Sequence, residues 1–267
     1  MRADQLLVHR GLATSRSQAQ RLIESGVRKL TREGWKAVAK SDKLFDDVEL
    51  ELLNADEAKY VSRGGLKLEG ALIKSGISAQ GKLCLDIGQS TGGFTDCLLQ
   101  HDAAFIIGVD VGHAQLHTSL RENQRVVCLE KSNARELNTP DLIALCAGYM
   151  PATCTFDLKK QAFQLIVGDV SFISQTLLVP RFGDLLSTHA DVLMLVKPQF
   201  ELQPNDLAKG GIVKDAMLYE KVEQRIRESY AQAGLTVKNY FESPISGGDG
   251  NREFFVHATK QSASDKT

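Results

Sequence analysis

From residue 83 onward, short apolar runs rich in β-branched residues alternate with helical stretches. The runs fall at 83–87, 105–110, 126–130, 163–169, 192–197, 237–241 and 253–258, and the clearest helical patterns at 94–100 and 215–233. Alternation of this kind predicts an α/β fold, a parallel, doubly wound sheet with helices on both faces. The last two runs are joined by S-G-G-D-G-N-R, a Gly-rich loop that predicts an antiparallel final strand.

The first 53 residues pattern differently. An apolar stripe over 3–10 predicts a short helix that stops at Gly11. Thr14 or Ser15 then caps a second helix, R-S-Q-A-Q-R-L-I-E-S, which Gly26 ends. Leu22 and Ile23 face inward on it, while Arg16 and Arg21 stay exposed. Strand-like pieces follow at 27–30, 35–38 and 48–52, with a turn at Glu33 and Gly34. Such a length makes a thin core, so this is expected to be an accessory domain. Residues 54–63 read as a linker and 64–260 as the main domain, whose first helix, 64–75, is capped by Ser62. Residues 149–162 look like an irregular insertion and 261–267 like a disordered tail.

Composition changes this picture little. The chain has 267 residues, 43% hydrophobic and 24% charged, as in an ordinary soluble protein. No apolar run reaches the length of a membrane span, and the N-terminus lacks the apolar core of a signal peptide. Five cysteines without C-x-x-C spacing argue against a disulfide framework and against a metal site. Cytoplasmic residence is the simplest expectation. Charge does change the picture. Residues 1–40 carry nine Lys/Arg against three acids, a net of +6, and residues 41–57 carry seven acids against Lys43, a net of −6. A basic segment at the start of a near-neutral chain suits nucleic acid.

The stretch L-D-I-G-Q-S-T-G-G-F at 85–94 ends the first run in a glycine-rich turn. In an open α/β sheet, ligands sit beyond the C-terminal strand ends. Asp110 closes the second run and can accept two hydrogen bonds from a ribose diol, in a dinucleotide as in other nucleosides. The turn discriminates. A dinucleotide fold needs a second glycine two positions after Gly88, where backbone presses on pyrophosphate, and here that place holds Ser90. Asp86 would repel a phosphate yet suits the amino-acid end of S-adenosylmethionine. The G-x-x-x-G-G spacing therefore points to a zwitterionic, phosphate-free cofactor.

Two resemblances extend this reading. R-A-D-Q-L-L-V-H-R-G-L-A-T-S-R-S-Q-A-Q-R-L-I-E-S-G-V resembles the S-four domain, a small RNA-binding fold. That resemblance implies phosphate contacts at Arg2, Arg16, Arg21 and Arg28, with Arg63 at the linker's end counted beside them. It weakens after Val27, where R-K-L-T-R-E-G-W replaces the usual V-x-V-N-G hairpin. D-I-G-Q-S-T-G-G-F-T-D-C-L-L-Q, Y-V-S-R-G-G-L-K-L, G-D-V-S-F-I-S and L-V-K-P-Q-F-E together resemble the TlyA, or hemolysin A, family of FtsJ-type ribosomal RNA methyltransferases. This implies a class I methyltransferase sheet of seven strands and S-adenosylmethionine as cofactor. The cofactor contacts it implies are Gly88, Gln89 and Ser90 in the turn, Thr91, Gly92, Gly93 and Phe94 at the following helix start, Asp86, Asp110 and Asp169, and Asn133, near Glu130, for the adenine. Gln89 stands where the family has a small residue, so its amide either adds a cofactor hydrogen bond or crowds the pocket.

The acceptor is narrowed by exclusion. The D/N-P-P-Y/F tetrapeptide of base N-methylation is replaced by G-D-V-S-F, and none of Cys84, Cys97, Cys128, Cys146 or Cys154 follows proline, as a carbon-5 nucleophile normally does. A ribose 2′-hydroxyl remains, and a desolvated lysine held by a carboxylate can take its proton or stabilise the alkoxide. FtsJ-type enzymes use a Lys-Asp-Lys-Glu tetrad, which the resemblance carries onto Lys67, Asp169, Lys197 and Glu253. Lys197 would be the base or alkoxide stabiliser, Asp169 and Glu253 would orient it, and Lys67 would position the substrate. The expected function is 2′-O-methylation of ribosomal RNA, on a cytidine by the same resemblance, with ribosomal RNA or ribosomal subunits as partner, and without metal or membrane. The rivals are a membrane-active hemolysin, a non-catalytic ribosome-assembly RNA-binding protein, and a dehydrogenase.

Overall fold

A computed structural model describes residues 1–146, 162–245, 247 and 250–261. Of the expected insertion only Ala162 is among them, and of the expected tail only Gln261; the rest of both segments lies outside the described residues.

The chain divides into two compact units, Met1–Leu66 and Lys67–Thr267. In the first, α1 (Ala3–His9) and α2 (Arg16–Gly26) pack on a three-stranded antiparallel sheet of order β2-β1-β3, with β1 Val27–Thr31, β2 Gly34–Ala37 and β3 Leu50–Leu52. Ser15 caps α2, its hydroxyl accepting from the Gln18 backbone N–H at 3.2 Å. Leu6, Leu7, Leu22, Ile23 and Val27 form the small core. The stretch 54–63 is tied to this module. The Gln18 amide donates to the carbonyls of Ala58 (2.8 Å) and Tyr60 (3.1 Å), and Tyr60 is buried.

The boundary between the units falls within α3 (Arg63–Ser75). The second unit is built on seven strands: β4 Leu83–Ile87, β5 Phe105–Val109, β6 Val126–Leu129, β7 Phe163–Gly168, β8 Leu186–Val196, β9 Leu235–Glu242 and β10 Phe254–Lys260. Their order is β6-β5-β4-β7-β8-β10-β9. The first five are mutually parallel, and β10 runs antiparallel to both β8 and β9, as the Gly-rich loop predicts. The helices between them are α4 (Gly93–Gln100), α5 (Thr118–Arg121), α6 (Thr139–Cys146), α7 (Phe182–Leu185), α8 (Pro198–Glu201) and α9 (Met217–Gln232). In α9, Val222, Ile226 and Tyr230 recur every fourth residue and form its buried stripe.

Two features of this sheet position the site. The chain winds outward through β4, β5 and β6, then returns to add β7 on the other side of β4. The switch in strand order therefore lies between β4 and β7, where a crevice opens beyond their C-terminal ends. The other feature is β8, which starts six residues before its apolar run. His189 is in the left-handed region (φ 61°) and the β7–β8 register shifts there, so the exposed Thr188 and His189 carry no period-2 signal.

Candidate active site

Asp169 follows β7 directly and Lys197 follows β8, so both stand at the C-terminal ends of neighbouring parallel strands. Lys197 Nζ lies 2.5 Å from Asp169 Oδ1 and donates to Ser171 Oγ at 2.8 Å. Glu253 precedes β10. Phe254 is opposite Val196 in the antiparallel β8–β10 pair, so Glu253 comes level with Lys197. Its Oε2 lies 2.5 Å from Nζ of Lys67 on α3, in a pair almost closed to solvent. The four residues of the expected tetrad are thus two ion pairs at the C-terminal edge of the sheet. Removing charge from water is costly, and each pair offsets that cost with an opposite charge at contact distance. A Cβ at Gly247 would stand 2.6 Å from Glu253 Oε1, so the glycine there leaves room for the carboxylate.

Beside Asp169 is a cleft of about 370 Å³. Of the expected cofactor residues, Gly88, Ser90, Asp110, Asn133 and Asp169 line it. Gly88 is held by its surroundings. Its φ is +81°, and a Cβ would meet the Asp169 carbonyl oxygen at 2.7 Å, so glycine lets the two strand ends close up. Asp110 is oriented by backbone donors, Ser90 N–H to Oδ2 at 2.7 Å and Gly112 N–H to Oδ1 at 2.6 Å, and each oxygen keeps a lone pair for a ligand hydroxyl. Asn133 reaches the cleft, but its amide is engaged locally, donating to Glu136 (3.0 Å) and accepting from the Arg135 N–H (3.1 Å).

Other expected contacts lie behind the turn. Asp86 is fully buried, and the Thr95 hydroxyl donates to its Oδ2 at 2.7 Å. Gln89 is also buried and donates to Thr95 Oγ1 at 2.8 Å. Its amide occupies the space over Gly108, where a Cβ would come within 2.0 Å of Gln89 Cδ. Gln89 therefore neither contacts nor crowds the cleft. Burial pushes the Asp86 carboxyl up to about 7; the Thr95 hydrogen bond opposes this, and the nearby charges of Asp169 and Asp110 add to it. Phe94 turns into the core, 6.3 Å from the Phe255 ring, and Gly92 makes room for Leu116 and Leu120. Thr91 is exposed, and neither it nor Gly93 lines the cleft.

Val111, Gln115 and Leu178 also line the cleft and carry no signal in the sequence pattern, with Ser171, Phe172 and Ile173 of the loop after β7 beside them. Phe172 is 91% exposed with φ 63°, and its ring stands 5.1 Å from Phe200 on α8. For Ser171 and Phe172 the motif G-D-V-S-F-I-S holds a signal beyond Asp169 itself. Behind this loop, buried Glu201 accepts from the Gln175 N–H at 2.8 Å and from the Ser174 hydroxyl, tying α8 to the loop after β7. Cysteine nucleophiles find no support here. Burial pushes Cys84 up to about 12, and burial with the Glu130 charge pushes Cys128 up to about 11. Cys154 lies outside the described residues.

In the first unit, Arg2 and Arg16 both bind buried Asp4, at 3.1 and 3.0 Å, and both remain about half exposed. Burial would raise the Asp4 carboxyl, but hydrogen bonds from Gln20, Arg2 and Arg16 outweigh it and hold it well below the usual range. Arg21 departs from expectation. Its side chain is only 18% exposed, drawn in beside Glu57 at 3.9 Å, and Arg63 approaches the same carboxylate at 3.6 Å. Arg28 is exposed on β1.

The family model for FtsJ-like methyltransferases matches residues 60–260. Hemolysin A of Brachyspira hyodysenteriae is 39% identical over 257 residues, spanning 96% of this chain and 99% of its own length. The 16S/23S rRNA (cytidine-2'-O)-methyltransferase TlyA of Mycobacterium tuberculosis is 38% identical over 255 residues, spanning 96% of this chain and 88% of its own. A solved hemolysin-type chain from Streptococcus thermophilus superposes with a TM-score of 0.71 at 35% identity, covering 98% of this chain and 88% of that one. The seven-stranded sheet, the paired lysines and carboxylates at its edge and these matches agree: the chain belongs to the FtsJ-like methyltransferase family.

Proposed function

We propose that this protein transfers a methyl group from S-adenosylmethionine to the 2′-hydroxyl of a ribose in ribosomal RNA. The observation that carries the proposal is the Lys197–Asp169 pair at 2.5 Å on the rim of the cleft. A ribose hydroxyl is a weak acid, and its oxygen must lose a proton as it attacks. Lys197 Nζ would meet that oxygen: as the neutral amine it takes the proton, and as the ammonium it stabilises the alkoxide while water takes the proton. Asp169 and Ser171 fix the direction of Nζ. Lys67 and Glu253 would hold the neighbouring part of the RNA backbone.

The cleft fits the cofactor. Asp110 would accept the ribose diol, Ile173, Leu178 and Ala134 offer apolar surface for the adenine, and the backbone at Gly88 leaves space toward Asp169. When bound, the cofactor supplies a methyl group activated on sulfur. Exposed Phe172 at the rim offers a face on which the acceptor's base can stack. Cytidine as acceptor rests on the name of the Mycobacterium tuberculosis relative. Arg2 and Arg16, which together outweigh the one charge of Asp4, would contact RNA phosphates, with Arg28, Arg63 and the less exposed Arg21 around them.

The test is binding and transfer measured together. Calorimetry should show that the purified protein binds S-adenosylmethionine, and ribosomal RNA incubated with the labelled cofactor should gain label in alkali-resistant dinucleotides. Label released by alkali would place the methyl group elsewhere and refute the proposal.

A further inference from the structure

Four arginines of the first unit are ion-paired, and Arg10 donates to the carbonyls of Asp46 and Val48. Arg2 and Arg16 share Asp4, and Arg21 and Arg63 share Glu57. Arg28 and Arg32 are exposed and make no ion pair among the described residues. These two flank an exposed apolar pair on the β1–β2 hairpin. Leu30 is opposite Trp35 across the ladder, and each is 41% exposed. Strand alternation puts Arg28 on the same face as Leu30, next to exposed Ala37, and Arg32 is in the turn that joins the strands. Glu51 stands opposite Arg28 on β3 without forming an ion pair. β2 is an edge strand of this sheet.

An exposed indole beside unpaired guanidinium groups matches the chemistry of an unpaired nucleobase and its phosphates. The π-face of any base stacks on an aromatic ring, and arginine adds charge without requiring sequence. The two unpaired guanidinium groups beside the pair favour a polyanion over an apolar protein surface, against the acids of residues 41–57, which include Glu51 on β3. We propose that Trp35, backed by Leu30 and flanked by Arg28 and Arg32, is a stacking site for an unpaired RNA base. This rests on the reading of the protein as an RNA-modifying enzyme and adds a stacking contact at Trp35 to the phosphate contacts expected at the arginines.

Trp35 is the only tryptophan in the chain, so intrinsic fluorescence reports on this site directly. The full-length protein is titrated with a short unstructured RNA, following tryptophan emission and RNA anisotropy together. The site predicts quenching that saturates with the anisotropy signal and loss of access to acrylamide. Trp35→Ala should weaken binding about five- to a hundredfold, and Trp35→Phe should keep most of it. Should Trp35→Ala fail to fold, the wild-type quenching and the Trp35→Phe affinity decide. RNA binding without any change in emission overturns the stacking site while leaving RNA recognition standing. Quenching by RNA-free ribosomal proteins, with none by RNA, overturns it in favour of a protein contact. Absence of RNA binding altogether defeats both readings.

Discussion

Lys197 Nζ and Asp169 Oδ1 meet at 2.5 Å because each residue stands one position beyond a neighbouring parallel strand. Adjacent strand ends, rather than a long loop, bring the two side chains within reach. Replacing Lys197 by Ala should lower kcat about 10²- to 10⁴-fold, the range of a lost acid–base group. Cofactor affinity by calorimetry should stay near the wild-type value. A Lys197→Ala enzyme with normal turnover would contradict the assignment.

Lys67 and Glu253 form the more buried of the two pairs. Glu253→Gln leaves the lysine without its counter-charge and should cost about 3–5 kcal/mol of stability. Adding Lys67→Met should restore much of the lost stability without restoring activity. Thermal melts of both variants check this, and equal melting temperatures for Glu253→Gln and wild type would show that the pair contributes nothing.

Asp110 has both oxygens aimed by backbone N–H groups. Asp110→Ala should raise the cofactor Kd about ten- to a hundredfold, as expected when a charge-assisted hydrogen bond is lost. Calorimetric titration reads this, and an unchanged Kd would exclude Asp110 from the cofactor site.

Gln89 reaches Thr95 and covers Gly108 instead of entering the cleft. Gln89→Ala should therefore lower the melting temperature, by about 1–3 kcal/mol in stability, while cofactor affinity changes little. The opposite pattern, intact stability with altered affinity, would return Gln89 to the cofactor site.

Asp86 adds a pH dependence. Its carboxyl rises from 3.8 unfolded to about 7 folded, so between these values the native state holds a proton that the unfolded chain has released. Stability should fall as pH rises through this window, on the order of 4 kcal/mol in all, and level off above it. Asp86→Asn should flatten that slope. Chemical denaturation at a series of pH values measures it, and parallel profiles for the two proteins would rule Asp86 out as the source.

Much of the fold and of the candidate site is legible in the sequence. Asp169 and Lys197 stand out because apolar runs that end in charge mark strand ends, and the antiparallel last strand follows from its Gly-rich loop. Lys67 and Glu253 are legible only through family resemblance, since a lysine on a helix and a glutamate before a strand are ordinary residues alone. The direction of Gln89 depends on Gly108 across the sheet, and the burial of Arg21 depends on Glu57. Both are tertiary facts that no local pattern carries. The early start of β8 is hidden by the irregular backbone at His189.

The most direct measurement maps the transferred methyl group. Ribosomal subunits are incubated with labelled S-adenosylmethionine and either wild-type protein or Lys197→Ala, and the labelled nucleotide is isolated. Label on a ribose O2′ with the wild type, and none with Lys197→Ala, is the predicted result. Label on a base, or equal ribose labelling by both proteins, would contradict the account.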